Sequence, residues 1–200
     1  MPDWDENSDQ LTDNLRRAYR KSRDQAFDRQ TPSVELARDW HIETLAGLDV
    51  PDANFVGRFR GEPGLEGCEV RIGLHTAVPA ASVDEELQTY EQTLKQTITA
   101  LDRLIPKGHT PDTTDQLNAV IELCAWAHAE WVRIHPFANG NGRTARIWTG
   151  FIAMRYGLPP FVKLRPRPDG GYGVACNHAM DGNWAPTAQV FRRMYLGVVG

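Results

Sequence analysis

The chain has 200 residues, 41% of them hydrophobic and 24% charged, with a formal net charge of −4. Those proportions are those of a globular chain and exclude a disordered or collagen-like one, and no apolar run approaches the ~20 residues of a membrane-spanning helix. The acidic balance also argues against a dedicated nucleic-acid-binding domain, whose surface would have to neutralise phosphates.

The start, Met1-Pro2-Asp3-Trp4-Asp5-Glu6, is acidic and lacks the basic-then-apolar layout of a signal peptide. Cys68, Cys124 and Cys176 are scattered, cannot all pair, and read as reduced thiols of a cytoplasmic protein. A basic run, Arg16, Arg17, Arg20, Lys21 and Arg23, overlies a stripe of Leu11, Leu15, Ala18, Tyr19 and Ala26. That pattern reads as the solvated face of a helix, so residues 1–30 are expected to form a polar, partly helical extension. Thr31-Pro32 has the look of an N-cap followed by proline at the first helical position, and opens a helix carrying Leu36, Trp40 and Leu45 to Gly47.

From Leu48 to Ala81 the helical period vanishes. Phe55–Arg60 and Cys68–Gly73 flank a turn at Gly61-Glu62-Pro63-Gly64, and Val70 and Ile72 alternate with charges, which predicts a small β-hairpin or flap. Ser82 with Glu85, and Thr113 with Gln116, have the form of capping boxes. The first opens a helix with Leu87, Tyr90, Leu94, Ile98, Leu101 and Ile105 on one face. The second opens one with Leu117, Val120, Ile121, Cys124, Ala127, His128 and Trp131. Cys124 and His128 share a face, but nothing completes a metal set, and buried core is the better reading. A further helix is expected from about Gly142 to Gly157, and shorter ones over 174–180 and 186–196. The chain is therefore read as mostly α with one hairpin. Arg165-Pro166-Arg167-Pro168 reads as an ordered loop, with a nucleotide or target contact as the alternative.

The chemistry concentrates in His135-Pro136-Phe137-Ala138-Asn139-Gly140-Asn141-Gly142-Arg143-Thr144-Ala145-Arg146. An imidazole closes one helix, a Gly-Asn-Gly turn leads directly into the next, and two arginines stand in that helix's first turn. Glycine permits an anion-binding nest, and a helix start offers unpaired N–H groups and a positive dipole end. Arginines there oppose the dipole, and a bound phosphate bridged by their guanidinium forks accounts for them. A histidine beside such a cradle points to phosphoryl or nucleotidyl transfer with the imidazole as general base. Each piece alone is commonplace; their order within twelve residues is not.

The segment resembles the signature of the Fic (Fic/Doc, or Fido) family, His-Pro-Phe-x-(Asp or Glu)-Gly-Asn-Gly-Arg-x-x-Arg, departing from it at Asn139. Phe55–Arg60 resembles the family's aromatic-Ala-Gly-x-x-Arg element. The resemblance implies a Fic fold over residues 31–200, a helical bundle around the motif helices with a flap at about 55–76 and the motif at 135–146. It implies a protein adenylyltransferase moving AMP from ATP to a Ser, Thr or Tyr hydroxyl of a target protein. His135 would be the base, and Gly140, Asn141 and Gly142 the anion hole. Arg143 and Arg146 would bind the β- and γ-phosphates, Phe137 after Pro136 would anchor the loop, and Arg71, Ile72 and Gly73 would dock the target. Mg²⁺ or Mn²⁺ is implied as cofactor, its usual acidic ligand being replaced here by Asn139.

The same scaffold with another donor, phosphorylation or AMP removal, and a nucleotide-binding protein of little turnover, are the alternatives. Gly142 favours nucleotide over phosphate transfer, because the Doc branch carries lysine there. The family's inhibitory string, (Ser or Thr)-x-x-x-Glu-(Gly or Asn), is nearest at Ser82–Glu86, where Leu87 breaks it. Inhibition would then fall to a separate antitoxin-like protein. A cytoplasmic protein or a secreted effector would carry the same signature.

Overall fold

The computed structural model describes residues 8–200; the acidic start lies outside them. Helix α1, Asp9–Phe27, opens at Ser8, whose hydroxyl accepts the Leu11 N–H at 3.0 Å. Its stripe of Leu11, Leu15, Ala18 and Ala26 is buried. Buried Asn14 donates to the Thr44 and Ala46 carbonyls at 3.0 and 2.7 Å, satisfying acceptors at the end of α2, Val34–Leu45. The basic run is a solvated face: Arg17 and Lys21 reach Glu43 and Asp39 of α2, while Arg16 and Arg23 pair with Asp13 and Asp24 of α1. Such exposed pairs contribute little to stability.

Helix α2 starts at Ser33, two residues after the expected cap, and the Ser33 side chain makes no capping bond. The Val34 N–H is taken instead by the Glu91 carboxylate of α3, Val83–Leu104, at 2.6 Å. A cap from another helix replaces one from the neighbouring sequence. The six expected face positions of α3 and its end are all buried. Ser82 closes a 3-10 turn and makes no side-chain cap, so the box expected with Glu85 does not form. Thr113 does cap α4, Thr114–Ile134, accepting the Gln116 N–H at 3.1 Å, while Gln116 reaches back to Asp112.

The hairpin is smaller than expected and its partner strand is different. Strand β1, Arg71–Ile72, pairs antiparallel with β2, His75–Thr76, around Gly73-Leu74. Phe55–Arg60 takes no part. Phe59 instead bridges Phe137, and Arg60 turns inward, its backbone N–H and its side chain reaching the Pro136 and His135 carbonyls. Leu74 at the hairpin tip is 97% exposed.

Helix α5, Asn141–Arg155, is buried almost throughout and pairs with α4 at the centre of the bundle. Buried on every side, it shows little amphipathic pattern, and it begins one residue before the expected Gly142. Helices α1 and α2 pack on α5; α3, α6 (Tyr172–Met180) and α7 (Ala185–Val199) pack on α4. Trp40, Trp148, Trp131 and Tyr90 fill the middle, with Trp40 edge-on to Trp148 at 4.8 Å. At one end Asp102 of α3 accepts bonds from Arg29, Arg155 and Tyr156, tying the end of α1 and of α5 to α3. All three cysteines are free thiols. Cys124 and His128 are core: the thiol faces the Thr149 carbonyl and His128 Nε2 meets the Tyr172 hydroxyl at 2.7 Å.

Burial pushes the pKa of His41 and of His128 down to about 3. Once unfolded, both imidazoles bind protons below about pH 6.5, whereas folded they stay neutral until about pH 3. The unfolded state therefore holds more protons in that window, and stability falls as pH falls through it. Urea midpoints are expected to decline between pH 7 and pH 5, and to decline less steeply in His128→Gln.

Candidate active site

Helix α4 ends at Ile134, and His135 follows in the left-handed region at φ 53°, ψ 55°. A residue other than glycine held there costs on the order of 1 kcal/mol or more and needs outside support. Arg60 gives that support. Its guanidinium, 1% exposed as a residue, donates to the carbonyls of His135 (2.8 Å), Ile134 (2.9 Å), Val78 (2.7 Å) and Cys68 (3.2 Å). Its backbone N–H donates to the Pro136 carbonyl at 2.7 Å. One side chain thus occupies the acceptors at the end of α4 and joins them to the base of the flap.

The turn also fixes the imidazole. His135 Nδ1 lies 3.2 Å from the Val132 carbonyl. A carbonyl only accepts, so Nδ1 carries the proton and Nε2 carries the lone pair. Burial lowers the pKa of His135 to about 4, with the Arg60 charge adding to the effect, so the ring is neutral near pH 7.

Beyond it the loop is clamped from within. Phe137 is fully buried, stacked on His41 at 3.8 Å and packed on Phe59 and Trp131, and Pro136 is buried beside it. The Asn141 side chain accepts the Phe137 N–H at 2.9 Å and donates to the Phe137 carbonyl at 2.8 Å. That amide is therefore a brace of the loop, and the Asn141 backbone N–H lies at the helix start. Gly140, at φ +82°, stands at the N-cap of α5, and its carbonyl takes the Arg143 and Thr144 N–H groups at 3.1 and 3.0 Å. The N–H groups of Asn141 and Gly142 in the first turn have no intrahelical acceptor, an arrangement able to receive an anion.

Arg143 and Arg146 follow, 4% and 6% exposed. Arg146 is aimed by the Leu164 carbonyl (3.1 Å) and the Tyr172 hydroxyl (3.4 Å), the latter bonded in turn to His128. A Cβ at Gly142 would come within 3.3 Å of Arg146 Nη1, so glycine there leaves the guanidinium room.

These groups line one cavity of about 550 Å³. It holds His135, Asn139, Gly140, Asn141, Gly142, Arg143 and Arg146 together with Arg71, Ile72 and Gly73 of the flap. Pro136 and Phe137 stay beneath it. Arg165, Arg167 and Tyr172 form the far wall, so the 165–168 loop faces the cavity. A second cavity, about 670 Å³, lies between α1 and residues 163–166, and includes no residue of the 135–146 segment.

A divalent cation finds a poor donor set here. At the position where the family signature has a carboxylate, Asn139 offers an uncharged amide oxygen, and that oxygen accepts the Gly140 N–H at 2.6 Å. Among the described residues no group of three His, Cys, Asp or Glu side chains is placed to hold a metal. These residues do not fit a resident Mg²⁺ or Mn²⁺.

The description of the Fic/DOC family matches residues 31–153. The chain belongs to that family. It is 43% identical over 67 residues to the protein adenylyltransferase Fic of Nematostella vectensis, a match covering 33% of this chain and 15% of that one. With the protein adenylyltransferase fic-1 of Caenorhabditis elegans it shares 52% identity over 42 residues, 21% of this chain and 8% of the relative. These matches span only a small part of the relatives' length. A Fic-domain-containing signaling protein of Bacteroides thetaiotaomicron has the same fold, with a TM-score of 0.64 and 18% identity over 94% of this chain and 66% of that one. BepC of Bartonella tribocorum, solved with bound AMPPNP, gives 0.62 and 19% over 92% and 85%.

Within this Fic domain, sequence reasoning passed over His41, Tyr172 and the Leu164 carbonyl. Only distance along the chain hid them, since each meets the motif through tertiary contact. Arg60→Met keeps the apolar stem and removes the donors, leaving four carbonyls, buried or partly buried, short of partners. It is expected to cost roughly 3 kcal/mol or more of unfolding free energy, measured by urea denaturation.

Proposed function

We propose that this Fic domain transfers AMP from ATP to a hydroxyl of a target protein. The observation that carries the reading is a neutral His135 with its Nε2 lone pair in the same cavity as a helix start and two buried arginines. In the proposed reaction His135 Nε2 takes the proton of a Ser, Thr or Tyr hydroxyl as its oxygen attacks the α-phosphorus of ATP. The bond from that phosphorus to the bridging oxygen breaks, and pyrophosphate leaves with the bond's electron pair. The proton then passes from the imidazolium to solvent or to the pyrophosphate. The Asn141 and Gly142 N–H groups hold phosphate oxygens, and Arg143 and Arg146 balance the leaving charge. The target segment adds as a strand to β1, placing its hydroxyl beside His135. No step is routed through a metal.

The adenylyltransferase names of the relatives and the AMPPNP held by BepC support ATP as donor. A second reading, a nucleotide-binding protein of low turnover, is favoured by Asn139 standing where a carboxylate is usual.

Mass spectrometry of protein adducts after incubation with ATP and a cell lysate tests the transfer. An AMP adduct is expected, formed roughly 10²–10⁴ times more slowly by His135→Ala. ATP affinity in that variant should stay near that of the natural chain; equal labelling rates would remove His135 from the role of base. A base with a pKa of about 4 keeps the rate flat from pH 8 to about 5, with loss only below. An acid limb near 6.5 would mean a solvated imidazole. Calorimetry with and without EDTA should show ATP binding responding to Mg²⁺ more steeply in Asn139→Asp. An equal response would show that position 139 faces no cation.

A further inference from the structure

Building on the reading of 139–142 as a phosphate-binding turn, we propose that His41 is the positioning residue of that turn. It holds the 139–140 peptide plane so that the Asn139 carbonyl is turned away from the phosphates and the N–H groups of Asn141 and Gly142 are left to face them.

His41 sits on α2, far from the motif in sequence and fully buried against it. Its two ring nitrogens are engaged by two backbone groups of opposite kind. Nδ1 lies 3.1 Å from the Gly57 nitrogen, whose N–H only donates. Nε2 lies 3.0 Å from the Asn139 oxygen, which only accepts. The pair admits one assignment: Nδ1 carries the lone pair, and Nε2–H donates to Asn139. The ring lies parallel to Phe137 at 3.8 Å with an interplanar angle of 11°, so it supports the loop from below as well.

The orientation of a single peptide follows. In a trans peptide the carbonyl and the N–H point to opposite sides of the plane. With the Asn139 carbonyl drawn toward α2, the Gly140 N–H is turned away from it, where the Asn139 amide oxygen takes it. Gly140, at φ +82°, passes this orientation to the next peptide, whose carbonyl caps α5 and whose N–H belongs to Asn141. Glycine beside the plane offers little resistance to a flip, so the turn needs an external hold. Loss of the His41 donor would let the 139–140 plane rotate and present a carbonyl oxygen to the phosphates. Packing alone does not account for the residue. A spacer would need no donor, and a Cβ at position 140 would lie 3.0 Å from His41 Nε2, so ring and turn are fitted to each other.

Two substitutions separate the donor from the stack. His41→Phe keeps an aromatic ring on Phe137 and removes both hydrogen bonds, whereas His41→Gln keeps a donor near the Nε2 position. ATP dissociation constants by calorimetry, with kcat and KM for AMP transfer, provide the readout. His41→Phe is expected to raise Kd and KM for ATP about tenfold, with kcat within about threefold, and His41→Gln to recover most of the affinity. Unchanged affinity in His41→Phe, no recovery with Gln, or a loss confined to kcat overturns the proposal. Should neither variant fold, ¹⁵N spectra of the natural chain decide. A neutral, exchange-protected Nε2–H tautomer for His41 supports it, and an Nδ1–H tautomer overturns it. A natural chain that binds ATP but transfers no AMP would overturn the transfer reading while the affinity comparison still decides this one. A chain that binds no ATP overturns both.

Discussion

The site depends on one buried charge. Arg60 enters the protein from an irregular segment before the flap, and its donors are spent on four carbonyls from three parts of the chain. Helix ends leave carbonyls without partners, and an end buried under a loop cannot give them to water. A guanidinium solves this for two residues at once, because its planar fork can satisfy several acceptors while remaining charged. Everything beyond Ile134 takes its direction from that arrangement. The turn of His135, the entry of Phe137 into the core and the start of α5 all follow from where α4 is made to stop.

Below the loop, aromatic rings do the corresponding work without charge. Phe137 meets His41, Phe59 and Trp131, and Trp131 continues through Tyr90 and Trp148 to Trp40. Stiff side chains in close contact leave the loop little freedom, which suits the proposed transfer, whose chemistry relies on placement and field rather than on covalent attachment. The arginines of the cavity wall are held in the same spirit: Arg146 is aimed by a carbonyl and by a hydroxyl that reaches back to a core histidine.

Much of this was legible in the residues. The helical faces of α3 and α4 repeat at the right spacing, and the twelve-residue segment carries histidine, turn and arginines in order. What escaped was set by partners distant in sequence. Phe55–Arg60 flanks a turn as a hairpin strand would but is captured by the motif loop, so the hairpin closes at Gly73-Leu74 instead. Ser82 and Glu85 have the spacing of a capping box, yet a 3-10 turn runs into the helix there and no cap forms. His41 reads as a residue on a short helix until the fold sets it against Asn139. Local chemistry announced the site, and tertiary contact decided which backbone groups it could use.

His135 occupies a backbone conformation that glycine adopts freely and histidine does not. Judged by folding alone, position 135 is a poor place for an imidazole, and a glycine would close α4 with less strain. In the proposed reaction the side chain is there for its lone pair, and the rest of the loop bears the cost. An unconstrained search for greater stability would therefore be drawn to remove this residue, so a stabilised version of the domain is a natural route to one inert in the proposed reaction. Any attempt to harden the fold should hold position 135 fixed and look for its gains at the far end of the bundle, around Asp102 and the ends of α1 and α5.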